Sequence, residues 1–211
     1  VTNSDGCTDS TSRMIAVNQP PSVRLFGGPD SVCNGTSATF TVELVGVSPF
    51  SVSFRTGGSN YPRQVDGLTW IETLNNITSQ TILSITAITD AKGCVADFTE
   101  MSDTVDVYPI PEITLRDTTV CFGSQAQVPI QVLEGRGGIN VSYSINGTLG
   151  YTYPLPAGVT DYVIPVNDVV ANTVLQVIEI VDGNSCKQTY TGSSNIRRSL
   201  ITGKPVPTVS L

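Results

Sequence analysis

Three sequence markers recur along this chain with one period near 90 residues, and that period sets the size of the folding unit. The first is a polar turn ending in cysteine: VTNSDGC at Cys7, ITDAKGC at Cys94 and IVDGNSC at Cys186, at intervals of 87 and 92 residues. The second is SVCNG around Cys33 and TVCFG around Cys121, 88 residues apart. The third is a proline-rich step before an apolar alternation: QPPSVRL at Pro21, PIPEITL at Pro111 and PVPTVSL at Pro207, at intervals of 90 and 96. Independent markers sharing one period indicate a tandem array. Residues 1–20 then read as the last strand region of a preceding repeat, with a strand expected over 8–19. Residues 21–109 and 110–204 read as two complete repeats, and 205–211 as the start of another. The chain reads as a section of something longer. Pro-x-Pro segments are stiff and short of backbone donors, so they suit linkers that hold successive domains in line.

Within each repeat the apolar positions alternate with a period of two. Ala38, Phe40, Val42 and Leu44 are matched one repeat later by Ala126, Val128, Ile130 and Val132. Phe50, Val52 and Phe54 correspond to Ile139, Val141, Tyr143 and Ile145, and the latter run enters Asn146-Gly147, a type I′ hairpin signal. Ile82, Ile85 and Ile88 match Val174, Val177 and Ile180. Such alternation, broken by glycine-rich turns, predicts antiparallel sheets buried on one face. Two sheets face to face make a sandwich of about 100 residues. The expected fold class is all-β: seven-stranded immunoglobulin-like antiparallel β-sandwich domains in a linear array. Trp70, alternating with Leu68, is expected to pack in a core. Pro129 cannot donate to a ladder, so its strand should be an edge or carry a bulge there.

Composition removes several function classes. The net charge is −7 and the basic residues are scattered, with only Arg197 and Arg198 adjacent. Nucleic acid and anionic lipid need clustered cations, so neither is an expected partner. No apolar run approaches the 18 or so residues of a membrane span, so membrane insertion is not expected either. Histidine is absent, which excludes histidine triads, histidine general bases and the common zinc sites. No Cys-x-x-Cys pair exists. The carboxylate pairs Asp103/Asp106 and Asp161/Asp168 carry no cleft signature. No catalytic residue, cofactor or metal is assigned. Asp90 and Asp182, each before a cysteine turn, are assigned to capping that turn, with a hard cation as the alternative.

The order VCNG…ATFTVELVGVSPFSVSF…ILSITAITDAKGC resembles the SprB-type and related Ig-like or PKD-like repeats of Bacteroidota cell-surface proteins. The first repeat carries the pattern at Cys33, Gly35, Gly46, Pro49, Phe50, Asp90, Gly93 and Cys94; the second keeps Cys121, Gly123, Asp182 and Cys186. It departs at Gly137-Gly138-Ile139 and at Ser185. The resemblance covers nearly the whole chain. It implies an extracellular, cell-surface location and export by the type IX secretion system. It also implies a structural or adhesive role in the stalk or filament of a gliding adhesin. Implied partners are neighbouring repeats, surface polysaccharide and other filament subunits. The alternative reading is a carbohydrate-binding sandwich, with Tyr151, Tyr153 and Tyr162 as the best aromatic cluster.

An exported chain favours oxidised cysteines. The assignment adopted is within repeats, Cys33–Cys94 and Cys121–Cys186, with Cys7 pairing outside the segment. Its alternative is staggered: Cys33 meets Cys186, and the other three bond to repeats beyond this segment. Strand length separates the two, because the turns concerned sit at opposite ends of a plain sandwich. Bacteroidota-type O-glycosylation at Asp-Ser/Thr-small, aliphatic or Thr would modify Ser10, Ser31, Thr104 and Thr118. Asn-x-Ser/Thr sequences at Asn34, Asn76, Asn140 and Asn146 matter only in a eukaryotic host.

Overall fold

The computed structural model describes residues 1–190 and 197–208. All regular structure among them is β. The expected start of a further repeat falls partly on 209–211, outside the described residues. From Ser22 to Tyr108 the chain forms β1 (Ser22–Phe26), β2 (Ser31–Cys33), β3 (Thr36–Val45), β4 (Phe50–Thr56), β5 (Ser59–Val65), β6 (Thr69–Ile77), β7 (Thr81–Thr89) and β8 (Met101–Tyr108). From Glu112 it forms β9 (Glu112–Leu115), β10 (Thr118–Cys121), β11 (Ser124–Glu134), β12 (Ile139–Ile145), β13 (Thr148–Leu155), β14 (Asp161–Val169), β15 (Thr173–Val181), β16 (Lys187–Thr189) and β17 (Arg197–Lys204).

The two sets repeat one topology. A three-stranded sheet, β1-β3-β6, accompanies a five-stranded sheet, β2-β8-β7-β4-β5. In the second set the orders are β14-β11-β9 and β10-β17-β15-β12-β13, with β16 added on β15. The first strand of each sandwich is split. β1 runs antiparallel to β3, and after Gly27-Gly28-Pro29 the chain changes sheet, so that β2 runs parallel to β8. β9 and β10 do the same against β11 and β17. Counting each split strand once leaves the expected seven, plus β16 in the second set.

By compactness the chain divides into two units: residues 1–29, 39–73 and 81–104, and residues 30–38, 74–80 and 105–211. In the first, Phe40, Val42 and Leu44 of β3 are buried together with Phe50, Val52, Phe54, Leu83, Ile85 and Ile88. In the second, Ala126, Val128, Ile130, Ile139, Val141, Leu175, Val177 and Ile180 form one cluster with Ile164, Ile201 and others. Strand parity explains the misplaced members of the third run. Opposite β4 the register slips between Ser53 and Phe54, which pair with Ala87 and Ile85. The extra residue, Thr86, donates its hydroxyl to the Ser53 carbonyl. A bulge shifts the inward set, so Leu83, Ile85 and Ile88 point in while Ile82 is exposed. The same slip recurs between Ser142 and Tyr143, putting Leu175, Val177 and Ile180 inside.

Three expectations are corrected. No strand forms over 8–19: a bridge joins Thr2 to Thr8, the residues beyond lack regular structure, and all of 1–20 is exposed. A strand needs a neighbouring ladder, and no described residue supplies one. Trp70 is only half-buried, and Leu68 is 56% exposed. Pro129 sits in β11, the central strand of its sheet, and neither bulge of β11 falls at Pro129. Arg116 lies opposite it and donates its amide to the Pro129 carbonyl (3.1 Å). In such a pair the return bond would come from the residue-129 amide, which proline lacks. The buried Ser199 hydroxyl donates to the Arg116 carbonyl instead (2.8 Å).

Candidate functional site

The cysteine turn is built the same way three times. The amides of Asn3, Asp90 and Asp182 donate to the carbonyls of Cys7, Cys94 and Cys186 at 2.9, 3.0 and 2.9 Å. The side-chain oxygen of each first residue accepts two further amides. Asn3 Oδ1 takes Asp5 and Cys7, Asp90 Oδ1 takes Lys92 and Cys94, and Asp182 Oδ1 takes Asn184 and Cys186. The residue before the cysteine is left-handed: Gly6, Gly93 and Ser185 have φ of 82°, 76° and 64°. This is an Asx turn extended by one residue, and it needs a short acceptor first and a tolerant residue fourth. Both carboxylates therefore hold backbone, which is the capping role assigned to them. Asp182 Oδ2 also accepts the Arg136 amide (3.0 Å), whereas Asp90 Oδ2 is buried with no hydrogen-bond partner among the described residues.

The turn of the second repeat delivers Cys186, fully buried, to Cys33. The two are bonded, with Cα atoms 5.5 Å apart and a sequence separation of 153. Both belong to the second compact unit. The within-repeat assignment is corrected: Cys33–Cys94 and Cys121–Cys186 do not form, and Cys7, Cys94 and Cys121 are thiols in this structure. The reason is strand direction. Cys121 lies opposite Lys204, where β17 ends beyond the Thr173 end of β15. Cys186 immediately precedes Lys187, which lies opposite Val181 at the other end of β15. Nine residues of strand span roughly 27 Å, and a disulfide tolerates a Cα separation of about 7 Å. Cys33, by contrast, ends β2 opposite Tyr108, and its sulfur is within reach of the next repeat's turn. Beside the bridge the Arg136 guanidinium lies over the Tyr108 ring, 5.3 Å from its centroid. Both line a shallow groove of about 480 Å³ with Asn34, Gln80 and Asp106.

The glycosylation candidates are dispersed. Ser10 and Thr104 are exposed; Ser31 and Thr118 are half-buried at the first positions of β2 and β10. Counted from the matched cysteines Cys33 and Cys121, Ser31 corresponds to Thr119, so Thr118 lies one residue earlier in its repeat. The adjacent aspartates make local bonds: Asp103 Oδ1 accepts the Thr104 amide, and Asp117 Oδ1 accepts the Leu200 amide. The tyrosine cluster is not one surface. Tyr151 lies opposite Tyr143 and stacks on it at 5.5 Å. Tyr153 follows on the same strand, but Tyr162 is on β14 in the other sheet, its hydroxyl donated to the Pro156 carbonyl. Of the adjacent arginines, Arg197 is committed to the Glu112 carboxylate (2.8 Å) and the Ile113 carbonyl (3.0 Å).

Sequence reasoning missed one polar cluster. Glu72 of β6 is 3% exposed and occupies a position that parity assigns to the core. It accepts the Trp70 indole N–H at 2.8 Å, with the Tyr61 hydroxyl and Arg63 guanidinium each at 3.4 Å. Burial first, then the Glu72 charge, push the Tyr61 phenol up to about 12. The second repeat has buried Ile164 at the matching place in β14. The signal was available: a lone glutamate on the inward parity of a strand whose neighbour carries tyrosine and arginine.

No protein-family profile and no curated protein matches this sequence. Solved structures do match. The titin I-band fragment I67–I69 superposes with a TM-score of 0.52 at 12% identity, over 90% of this chain and 67% of that one. The domains are immunoglobulin-like β-sandwiches. Fibronectin(III)-like modules of Clostridium thermocellum CbhA match over 87% of this chain and 95% of theirs, at 13% identity and a TM-score of 0.40. At 12% identity the likeness to the titin fragment is one of fold, the Ig-like antiparallel β-sandwich.

Proposed function

We propose that this chain is a structural and adhesive repeat segment of a long bacterial cell-surface protein, the stalk or filament of a gliding-type adhesin exported by a type IX system. It performs no catalysis. The observation that carries the reading is the Cys33–Cys186 bridge, which ties the first strand of one Ig-like repeat to the cysteine turn of the next. A pull on the chain passes through the two sulfurs, and the 153-residue separation between them bears no load along its backbone. Such a tie suits a protein that transmits force. Disulfides persist outside the reducing cytoplasm, which supports an extracellular setting. Neighbouring repeats are the primary partners; surface polysaccharide and other filament subunits are secondary ones. Single-molecule extension of the whole chain, with and without reductant, tests the load path. Extension curves identical in the two conditions would overturn it.

A further inference from the structure

The bridge joins two positions that both repeats possess, yet this chain fills only one such pair. Cys121 is to the second repeat what Cys33 is to the first. Each closes a parallel ladder, Cys33 opposite Tyr108 and Cys121 opposite Lys204. In each the following amide donates to that opposite residue's carbonyl, Asn34 to Tyr108 and Phe122 to Lys204, both at 2.8 Å. Each then turns through a left-handed glycine, Gly35 or Gly123. In each the opposite residue leads into a Pro-x-Pro step, Pro109-Ile110-Pro111 or Pro205-Val206-Pro207. Cys94 in turn occupies the position of Cys186, on the same Asx turn with the same hydrogen bonds. The Cys121 residue is exposed and Cys94 is half-exposed.

We propose that the bridge is a property of every junction, so that Cys121 is a docking point for the cysteine turn of the repeat that follows Pro207. By the same register Cys94 receives the first-strand cysteine of a repeat before it. This rests on the tandem-repeat reading above and names the partner: a further copy of this Ig-like unit, bonded to the repeat it adjoins. A cysteine alone would not carry the claim; the completed bridge between the same two positions does. Two thiols lose two protons and two electrons, and the sulfurs bond. The electrons go to a thiol–disulfide oxidoreductase in its disulfide form, which becomes the dithiol.

The test extends the full chain. A second copy of residues 111–204 is placed after Val206, giving the appended repeat the linker spacing of the native junction. The protein is folded in the presence of a disulfide oxidoreductase, and its thiols and linked peptides are mapped without reduction. The addition brings two cysteines, and one new bridge uses two, so the thiol number should stay at the present three. The expected new peptide links Cys121 to the appended copy's Cys186. Cys121→Ser should then leave that appended cysteine alkylatable. Five thiols, or Cys121 bonded to the Cys186 of its own repeat, would overturn the proposal. Cys33–Cys186 in the same digest reports folding of the original segment. Should the extended chain not form it, mapping of the parent protein from its source decides: Cys121 recovered as a thiol overturns the claim. Failure of the force experiment with this ladder intact would remove the load-bearing role alone.

Discussion

At the residue scale, two side chains stand where their chemistry is least comfortable, and each yields a measurement. Ser185 is a non-glycine in the left-handed region, at φ 64°, where the first repeat has Gly93. The left-handed conformation costs an L-residue about 1–2 kcal/mol, part of which glycine gives back as chain entropy. Ser185→Gly should therefore stabilise the second repeat by about 0.5 kcal/mol, and Gly93→Ala should destabilise the first by about 1 kcal/mol. Chemical denaturation of each variant checks both signs. The other is Tyr61, whose phenol is raised to about 12 by burial and by Glu72. Below the ordinary value near 10, folded and unfolded chains both hold this proton, and its contribution to stability is complete. Above 10 the unfolded chain ionises first, so stability falls progressively toward pH 12. Glu72→Gln removes the charge and should move the Tyr61 titration back toward 10, read as a phenolate difference spectrum against Tyr61→Phe.

At the element scale, β11 carries a proline where a central strand needs a donor, and the defect is repaired by a residue 70 positions away on β17. Ser199→Ala would leave the Arg116 carbonyl unpaired. Losing this part-buried hydrogen bond should cost about 1 kcal/mol. Pro129→Ala restores the amide that faces that carbonyl, so the double variant should recover most of the loss. A double variant no more stable than Ser199→Ala alone would show that the hydroxyl does not replace the proline's missing donor. The turns follow the same logic of local demand. Gly57-Gly58 and Asn146-Gly147 close equivalent hairpins with positive φ at both central residues, as a type I′ turn requires.

At the scale of the whole molecule the proposed load path through the staggered bridge makes a mechanical prediction. At about 3.6 Å per extended residue, the separation of 153 conceals roughly 550 Å of contour until the bridge is reduced. Reductant should release that length in extension experiments, and Cys33→Ser should show it without reductant. In the chain-entropy description a loop of this size stabilises by about 5 kcal/mol. Cys33→Ser should accordingly lower the midpoint of thermal unfolding, while Cys7→Ser should leave it unchanged.

Much of this protein is legible before folding. The period near 90 is written in three markers, and period-two alternation at Phe40, Val42 and Leu44 or Ala126, Val128 and Ile130 reports a one-sided sheet directly. The Asx turn is equally local, because its donors and acceptors lie within five residues. What escaped depends on contacts between distant segments. The bulges at Thr86 and Ile178 reverse parity within a strand, so Ile82 read as core when Leu83 holds that place. Pro129 read as an edge or a bulge because its substitute donor, Ser199, arrives from another sheet. Glu72 read as nothing because its partners come from β5 and from its own strand's half-buried Trp70. The cysteine pairing stayed open between two schemes: strand length counted against a bridge within one repeat, and the tertiary structure decided it. Spacing gives each repeat one cysteine of each kind and is satisfied by either scheme. Only the parallel course of β2 and β10 along the last strands puts Cys33 and Cys121 at the far end of their own sandwiches, beyond reach of their own turns.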